Sequence, residues 1–255
     1  MRPLPLPPRL KAISELATDP KFNVKPVRFD QFEVITFDCY GTLIDWESGI
    51  LAAVGGALAA HSQELNREQV LQAYSELEPS LQAGPYKPYR EILQLVMRGI
   101  GERLKVSFSG DEEQSLASSL PLWKPFPDTV AALRRLKSKY QLGVVSNIDD
   151  DLFAGTAVLL QTKFDYVITA QQARSYKPSP QNFELAFSKI GLPREKILHA
   201  AESVYHDVIP AKKLGLRTVW VNRRMGKAGA RASGSATGEP DLIVSDLKTL
   251  ADMAV

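Results

Sequence analysis

The sequence predicts an α/β fold, a doubly wound parallel sheet with a helical segment inserted near its start. Three observations carry that expectation. Short apolar or β-branched runs of strand length recur along the 255 residues. Helical patterns alternate with them, as in parallel βαβ units. Residues 50–124 break the rhythm, with helical periods and no convincing strand.

Taken in order, residues 1–30 read as an N-terminal extension, a Pro-rich arm followed by a short helix. The run 32–37 is the first strand. Helical periods at 52–65, 67–83 and 88–100 then give a cap of residues 51–124, punctuated by Gly84-Pro85 and returning through 124–127. The helix 128–139, the strands 142–145 and 166–169, the helix 181–190 and the strands 197–201, 218–221 and 241–244 complete a core of residues 31–50 and 125–255. Residues 226–238, rich in Gly, Ala and Ser, read as a mobile loop before the last strand.

A hydrophobic fraction of 44% and a charged fraction of 24% are ordinary for a folded soluble chain. A net charge of +2, with Lys and Arg scattered, argues against a nucleic-acid or membrane partner, so any anion binding is local. No stretch approaches the ~20 apolar residues of a membrane span, and the N-terminal segment has no apolar core of signal-peptide type. The single Cys39 cannot form an intrachain disulfide and reads as a buried thiol. A cytoplasmic protein is expected, with a homodimer plausible but supported by no particular residue.

In an open parallel sheet, ligands sit beyond the carboxyl ends of the strands. The residues there are Asp38-Cys39-Tyr40-Gly41-Thr42, Ser146-Asn147, Lys177-Pro178, and Glu202 with Asp207. A carboxylate can attack an electrophilic carbon or phosphorus to give an ester or acyl phosphate that water later cleaves, and Asp38 is placed for that work. Gly41 permits a tight turn with backbone N–H groups facing an anion, Thr42 can hydrogen-bond to Asp38, and Lys177 can hold it ionised. Ser146 and Asn147 would bind the anionic or leaving group of a small anionic substrate. Singly, Asp38 could be a turn former and Lys177 a surface lysine; their ordered joint appearance points to a site.

That order resembles the haloacid dehalogenase superfamily, whose four motifs match FDCYGTL, VVSN, YKPSP and AESVYHD here. The resemblance implies a Rossmann-like core with a helical cap inserted after the first motif. It also implies catalysis through an aspartyl ester on Asp38, with water delivered in a second step. Phosphatases of the superfamily carry a second Asp two residues after the nucleophile, to protonate the leaving oxygen; this chain has Tyr40, and a phenol of pKa ~10 is a poor acid for that role. Tyr40 and Trp46 look like the 2-haloacid dehalogenases, which work without a cofactor.

Other residues depart from that subfamily. Glu202 and Val204 stand where those enzymes carry Ser and Asn, and Glu202 with Asp207 resembles the acidic pair that holds Mg²⁺ in the phosphatases. Asp38, Glu202 and Asp207 would then make an oxygen-rich Mg²⁺ site, unless Lys177 neutralises Glu202 instead. The cap Arg that grips the substrate carboxylate falls near Tyr74 here, so Arg90, flanked by Tyr86 and Tyr89, is the candidate replacement. Trp123 reads as a hinge-packing residue more than a substrate-facing one, and His61, His199 and His206 as structural, with His206 able to tune its neighbour Asp207.

The sequence reading is hydrolytic dehalogenation of a short 2-haloacid, with Asp38, Lys177, Asp207 and Thr42 catalytic and with Tyr40, Ser146, Asn147 and Arg90 binding substrate. A Mg²⁺-dependent phosphatase of a small phosphoester and a catalytically idle binding protein stand as alternatives.

Overall fold

The protein is described by a computed structural model covering residues 27–225 and 237–255. The arm and helix expected before residue 27 and nearly all of the loop expected at 226–238 lie outside the described residues. The sheet comprises β1 (Val34–Phe37), β2 (Gln141–Ser146), β3 (Tyr166–Thr169), β4 (Ile197–Ala201), β5 (Arg217–Val221) and β6 (Leu242–Val244). They lie in the order β3-β2-β1-β4-β5-β6 with every neighbour parallel. The doubly wound sheet read from the sequence is therefore present, each strand within two residues of its expected ends.

Strand β1 sits where the winding reverses, between β2 and β4. Its residues are all buried because both faces of a parallel sheet are covered by helices. Alternation divides them: Ile35 and Phe37 join the larger apolar cluster with Leu133, Leu136, Leu247 and Leu250, and Val34 joins Val145, Phe183 and Ile190 on the opposite face. Helices Thr129–Lys137 and Leu247–Ala254 cover the first face, and Gln181–Ile190 the second. Among the described residues no helix is long and apolar enough to cross a membrane.

Between β1 and β2 the chain is helical, with Trp46–Ala60, Arg67–Gln82 and Tyr89–Leu104 as the long helices. The first begins at Trp46, earlier than the apolar period implied, because Asp45 caps it by accepting from Ser48 N at 3.3 Å and Ser48 Oγ at 2.7 Å. The insertion leaves and re-enters through a paired neck, in which Asp45 N donates to Lys124 O at 2.9 Å and Phe126 N to Leu43 O at 3.1 Å. The helix Tyr89–Leu104 takes its N-terminal cap from outside the insertion. The N–H groups of Tyr89 and Arg90 each donate to Asp149, beyond β2, at 2.9 Å. That buried carboxylate ties the insertion to the sheet beside the ends of β1 and β2.

Trp123 packs at the neck, as the sequence favoured. It is buried, donates Nε1 to Ser119 Oγ at 2.9 Å, and meets Tyr40 edge-on with ring centroids 6.0 Å apart. Gly49 lies so close beneath it that a Cβ would meet the indole at 2.4 Å, whereas a Cβ on Gly56 of the same helix meets nothing within 4 Å. Gly49→Ala should lower the urea unfolding free energy by about 1–3 kcal/mol through overpacking. Gly56→Ala should raise it by about 0.5–1 kcal/mol, since only helix propensity changes.

Candidate active site

Asp38 follows β1 directly, and its N–H donates to Ala200 O of β4 at 3.2 Å, which places the carboxyl at the centre of the sheet's carboxyl edge. Thr42 Oγ1 donates to Asp38 Oδ2 at 2.8 Å and accepts the N–H of Glu202 at 2.8 Å. One hydroxyl thus joins the ends of β1 and β4. The intervening turn requires Gly41, whose φ is +92° and whose added Cβ would meet Trp46 Nε1 at 3.0 Å. The Gly41 N–H closes the turn on Ile44 O at 2.9 Å. In that turn the N–H groups of Cys39 and Tyr40 make no backbone hydrogen bond among the described residues. The Cys39 thiol is buried, which pushes its pKa well up, in keeping with an inert role.

Lys177 is fully buried, and all three of its ammonium protons are used. It donates to Asp38 Oδ1 at 2.9 Å, to Asp207 Oδ1 at 2.5 Å and to Val145 O of β2 at 2.8 Å. Burial disfavours its charge, but Asp207 and Asp38 outweigh that and raise its pKa, so it stays an ammonium. Burial would also raise Asp207, yet Lys177 and His199 hold its carboxyl below the usual range. For Asp38, burial wins against the pull of Lys177 and Thr42, and the carboxyl lies above the usual range. Asp207 sits on a π-helical turn, Val204–Val208, a wide turn common at functional sites. His199 Nε2 lies 3.0 Å from Asp207 Oδ1, and its Nδ1 lies 2.9 Å from Thr36 Oγ1. A carboxylate only accepts, so Nε2 carries the proton at that contact.

Asp38, Lys177 and Asp207 border a cavity of about 40 Å³. Ser146, at the end of β2, lines it with a buried hydroxyl that has no hydrogen-bond partner among the described residues, an arrangement that costs about 1–3 kcal/mol. Asn147 also lines it, but its amide is occupied. Oδ1 accepts the Lys177 N–H at 2.7 Å, and Nδ2 donates to Lys177 O at 3.1 Å and Gln82 Oε1 at 3.3 Å. The expected substrate contact is replaced by a clamp on the lysine. The Tyr40 hydroxyl pairs with Thr156 Oγ1 at 2.7 Å and burial pushes its pKa well up, so it supplies no proton near neutrality.

The candidate Arg90 is a correction. Its side chain is 50% exposed and donates to Asp151 Oδ2 at 2.6 Å, outside the cavity. Tyr74, at the position matched to the missing Arg, is buried, edge-on to Trp46 and 3.0 Å from Tyr89 through the two hydroxyls. His61 pairs with Glu112, away from the site, as a structural residue. His206 lines the cavity and His199 reaches it through Asp207; burial lowers His206 to about 4, so its ring is neutral at pH 7.

The three acids proposed for Mg²⁺ do not converge on an ion position. Lys177 Nζ lies between Asp38 and Asp207 and takes one oxygen of each, and the described residues contain no group of three or more His, Cys, Asp or Glu side chains placed to hold a metal. Glu202 lines the cavity, while its carbonyl accepts from Trp220 Nε1 at 2.9 Å.

Glu78 is a site residue that the sequence reading missed. It lies on the buried face of the helix Arg67–Gln82, four residues after Tyr74 and eight after Val70, and an acid on an apolar stripe was the available signal. Burial raises its carboxyl to about 7, against hydrogen bonds from Tyr89 and Gln82, with Asp38 adding to the rise and Lys177 opposing it.

The family model for haloacid dehalogenase-like hydrolases matches residues 32–215. Haloacetate dehalogenase H-2 of Moraxella sp. (strain B) is 28% identical over 201 residues, 76% of this chain and 87% of that protein. An (S)-2-haloacid dehalogenase of Pseudomonas putida is 27% identical over 233 residues, covering 87% of this chain and 96% of the other. Among solved structures, a defluorinating L-2-haloacid dehalogenase superposes with a TM-score of 0.75 at 23% identity, over 90% of this chain and 99% of that one. The L-2-haloacid dehalogenase of Xanthobacter autotrophicus with chloropropionic acid covalently bound gives 0.73 at 19% identity, over 87% and 98%. At these identities the structures establish the shared fold.

The raised Glu78 carboxyl has a stability consequence. A group whose folded pKa lies above its unfolded value of ~4.3 stabilises fully below that value and loses the contribution as pH rises through the folded pKa, here about 7. Glu78→Gln should therefore differ least from the wild type in urea midpoint near pH 4 and exceed it increasingly as pH rises to 8.5. A constant difference between the variants across this range would contradict the assignment.

Proposed function

The chain belongs to the haloacid dehalogenase-like hydrolases, and on that premise we propose that it hydrolyses a short 2-haloacid, by attack of Asp38 on the halogen-bearing carbon. The observation that carries this reading is the buried ammonium of Lys177, which takes one oxygen each of Asp38 and Asp207, while the described acids do not converge on an ion position. Tyr40 supports the same reading, because its hydroxyl is turned to Thr156 and gives no proton to a leaving oxygen. The relatives named for 2-haloacids and haloacetate support the substrate class, and the (S)-specific name of the Pseudomonas putida relative supports the preferred enantiomer.

In this reading the Asp38 carboxylate forms a C–O bond as the carbon–halogen bond breaks and halide leaves with the electron pair, giving an aspartyl ester. The Ser146 hydroxyl and the N–H groups of Cys39 and Tyr40 hold the substrate carboxylate. Asp207, kept ionised by Lys177 and His199, orients water for attack on the ester carbonyl, which regenerates Asp38 and releases the 2-hydroxyacid. The small cavity admits short acids and excludes bulk water from the ester.

Halide release from chloroacetate and from the (S) enantiomer of 2-chloropropionate should be readily measured and unaffected by EDTA. Asp38→Asn should lower it at least ~10³-fold. A single turnover in heavy-oxygen water should place the label in the Asp38 carboxylate, seen by peptide mass. Ser146→Ala should raise KM about 10–100-fold, the loss of one hydrogen bond to a charged group. Phosphate release from small phosphoesters without halide release would overturn the proposal.

A further inference from the structure

Glu78 presents one committed oxygen and one open one. Oε1 accepts from Gln82 Nε2 at 2.7 Å and from the Tyr89 hydroxyl at 3.1 Å, while Oε2 takes no hydrogen bond among the described residues. Glu78 lines the cavity that holds Asp38, but from the helical insertion, whereas Asp38 comes from the sheet. The arrangement is braced across that boundary. Gln82 Oε1 accepts from Asn147 Nδ2 at 3.3 Å, and Asn147 clamps the backbone of Lys177. An acid on the insertion is thus held in register with the nucleophile on the core.

Displacement at carbon needs the nucleophile and the leaving group on opposite sides of the reacting atom. We propose that Glu78 is the proton donor to the leaving group, so that a halide displaced by Asp38 departs toward the Glu78 carboxyl. The inference rests on the dehalogenase reading above. As the Asp38 C–O bond forms and the carbon–halogen bond breaks, the halide carries off the electron pair and takes the Oε2 proton in step with its basicity. Hydrolysis of the ester releases one proton from the attacking water, which restores Glu78. Net, one water is consumed and one hydrogen halide is formed.

The groups facing Glu78 suit the role. Tyr74 on its own helix, Tyr89 on the next, and Tyr176 beside Lys177 are neutral phenols, while Asp38 and Lys177 face it with opposite charges and Glu202, His206 and Asp207 complete the cavity wall. With burial holding it near 7, the carboxyl keeps its proton on the acid side of neutrality. Among the described residues lining the cavity, Lys177 is the one permanent cation, and its three donors are spent. An ionised Glu78 would repel a departing halide, whereas a protonated one donates to it. Fluoride, the most basic halide, gains most from a proton and bromide gains little.

The test compares halide release from fluoroacetate, chloroacetate and bromoacetate by the full-length wild type, Glu78→Gln and Glu78→Asp. Glu78→Gln should lower kcat/KM for fluoroacetate about 100-fold and for bromoacetate less than about 3-fold. Glu78→Asp, which keeps an acid on a shorter arm, should recover part of the fluoride release. At saturating substrate, wild-type fluoride release should fall more steeply than bromide release as pH rises through about 7. Equal losses for the three halides in Glu78→Gln, unchanged fluoride release, or a wild type that releases bromide and chloride but no fluoride would each overturn the inference alone. Should Glu78→Gln not fold, identical wild-type pH profiles for fluoride and bromide would overturn it equally. A wild type that releases none of the three overturns the dehalogenase reading and this inference with it.

Discussion

The rest of the structure depends on one buried ammonium. Lys177 brings a charge out of water that would cost several kcal/mol if left alone, and its position is tolerable because two carboxylates and a carbonyl take its three protons. Those acceptors come from different elements: Asp38 from the end of β1, Val145 from β2, and Asp207 from the turn after β4. The ion therefore fixes the mutual position of three chain segments that are far apart in sequence. Each acid in turn needs the lysine, since removing either partner of a buried pair leaves an uncompensated charge at a cost of about 3–5 kcal/mol. Fold and chemistry share the same contacts here.

From that ion the constraint spreads outward along hydrogen bonds. Asn147 spends its amide on the Lys177 backbone, which looks like a waste of a polar group at the site until its effect on the lysine is considered: a long side chain is aimed only as well as its backbone is held. The same amide reaches Gln82, and Gln82 reaches Glu78. Two residues beyond Asn147, Asp149 caps the next helix of the insertion. The insertion is thus anchored at the carboxyl end of β2 by side chains as well as through the covalent neck at Ile44 and Pro125. Closure of the insertion over the cavity and the setting of the nucleophile are parts of one network.

The sheet was legible in the sequence because buried parallel strands are written as short, nearly unbroken apolar runs, and Tyr166–Thr169 and Ile197–Ala201 fall where those runs do. Asp38, Thr42, Ser146, Lys177 and Asp207 were legible for a related reason: topology puts the residue after each strand at one edge. What the sequence did not reveal is decided by tertiary direction. Arg90 has the right charge and lies in the insertion, but Asp151 draws it outward. Glu78 has the charge the dehalogenase pattern argues against, and burial rather than residue type determines its proton. His199 lies within β4, where alternation shows only that it is buried, not that its ring reaches Asp207. The start of the helix at Trp46 was hidden because its first turn, with Glu47, Ser48 and Gly49, carries little apolar signal and is set by the Asp45 cap.

The proposed chemistry then meets a charge problem that the site itself resolves. A haloacid brings a carboxylate into a cavity already bordered by Asp38, Asp207 and Glu202, and no cap arginine balances it. The free N–H groups of Cys39 and Tyr40 and the orphan Ser146 hydroxyl offer dipoles, not charge. Glu78 decides the balance, because burial raises its carboxyl to about 7, so its charge changes near neutrality. Binding an anion beside it raises its pKa further, as any like charge does, so substrate binding and protonation of Glu78 favour each other by the same free energy. The substrate thereby recruits the proton that its leaving group needs. A fixed arginine would hold the anion more tightly at every pH, but it could not give a proton away. Exchanging a permanent cation for a titrating acid trades ground-state affinity for a donor that acts as the carbon–halogen bond breaks, which is the exchange that raises kcat and not binding alone.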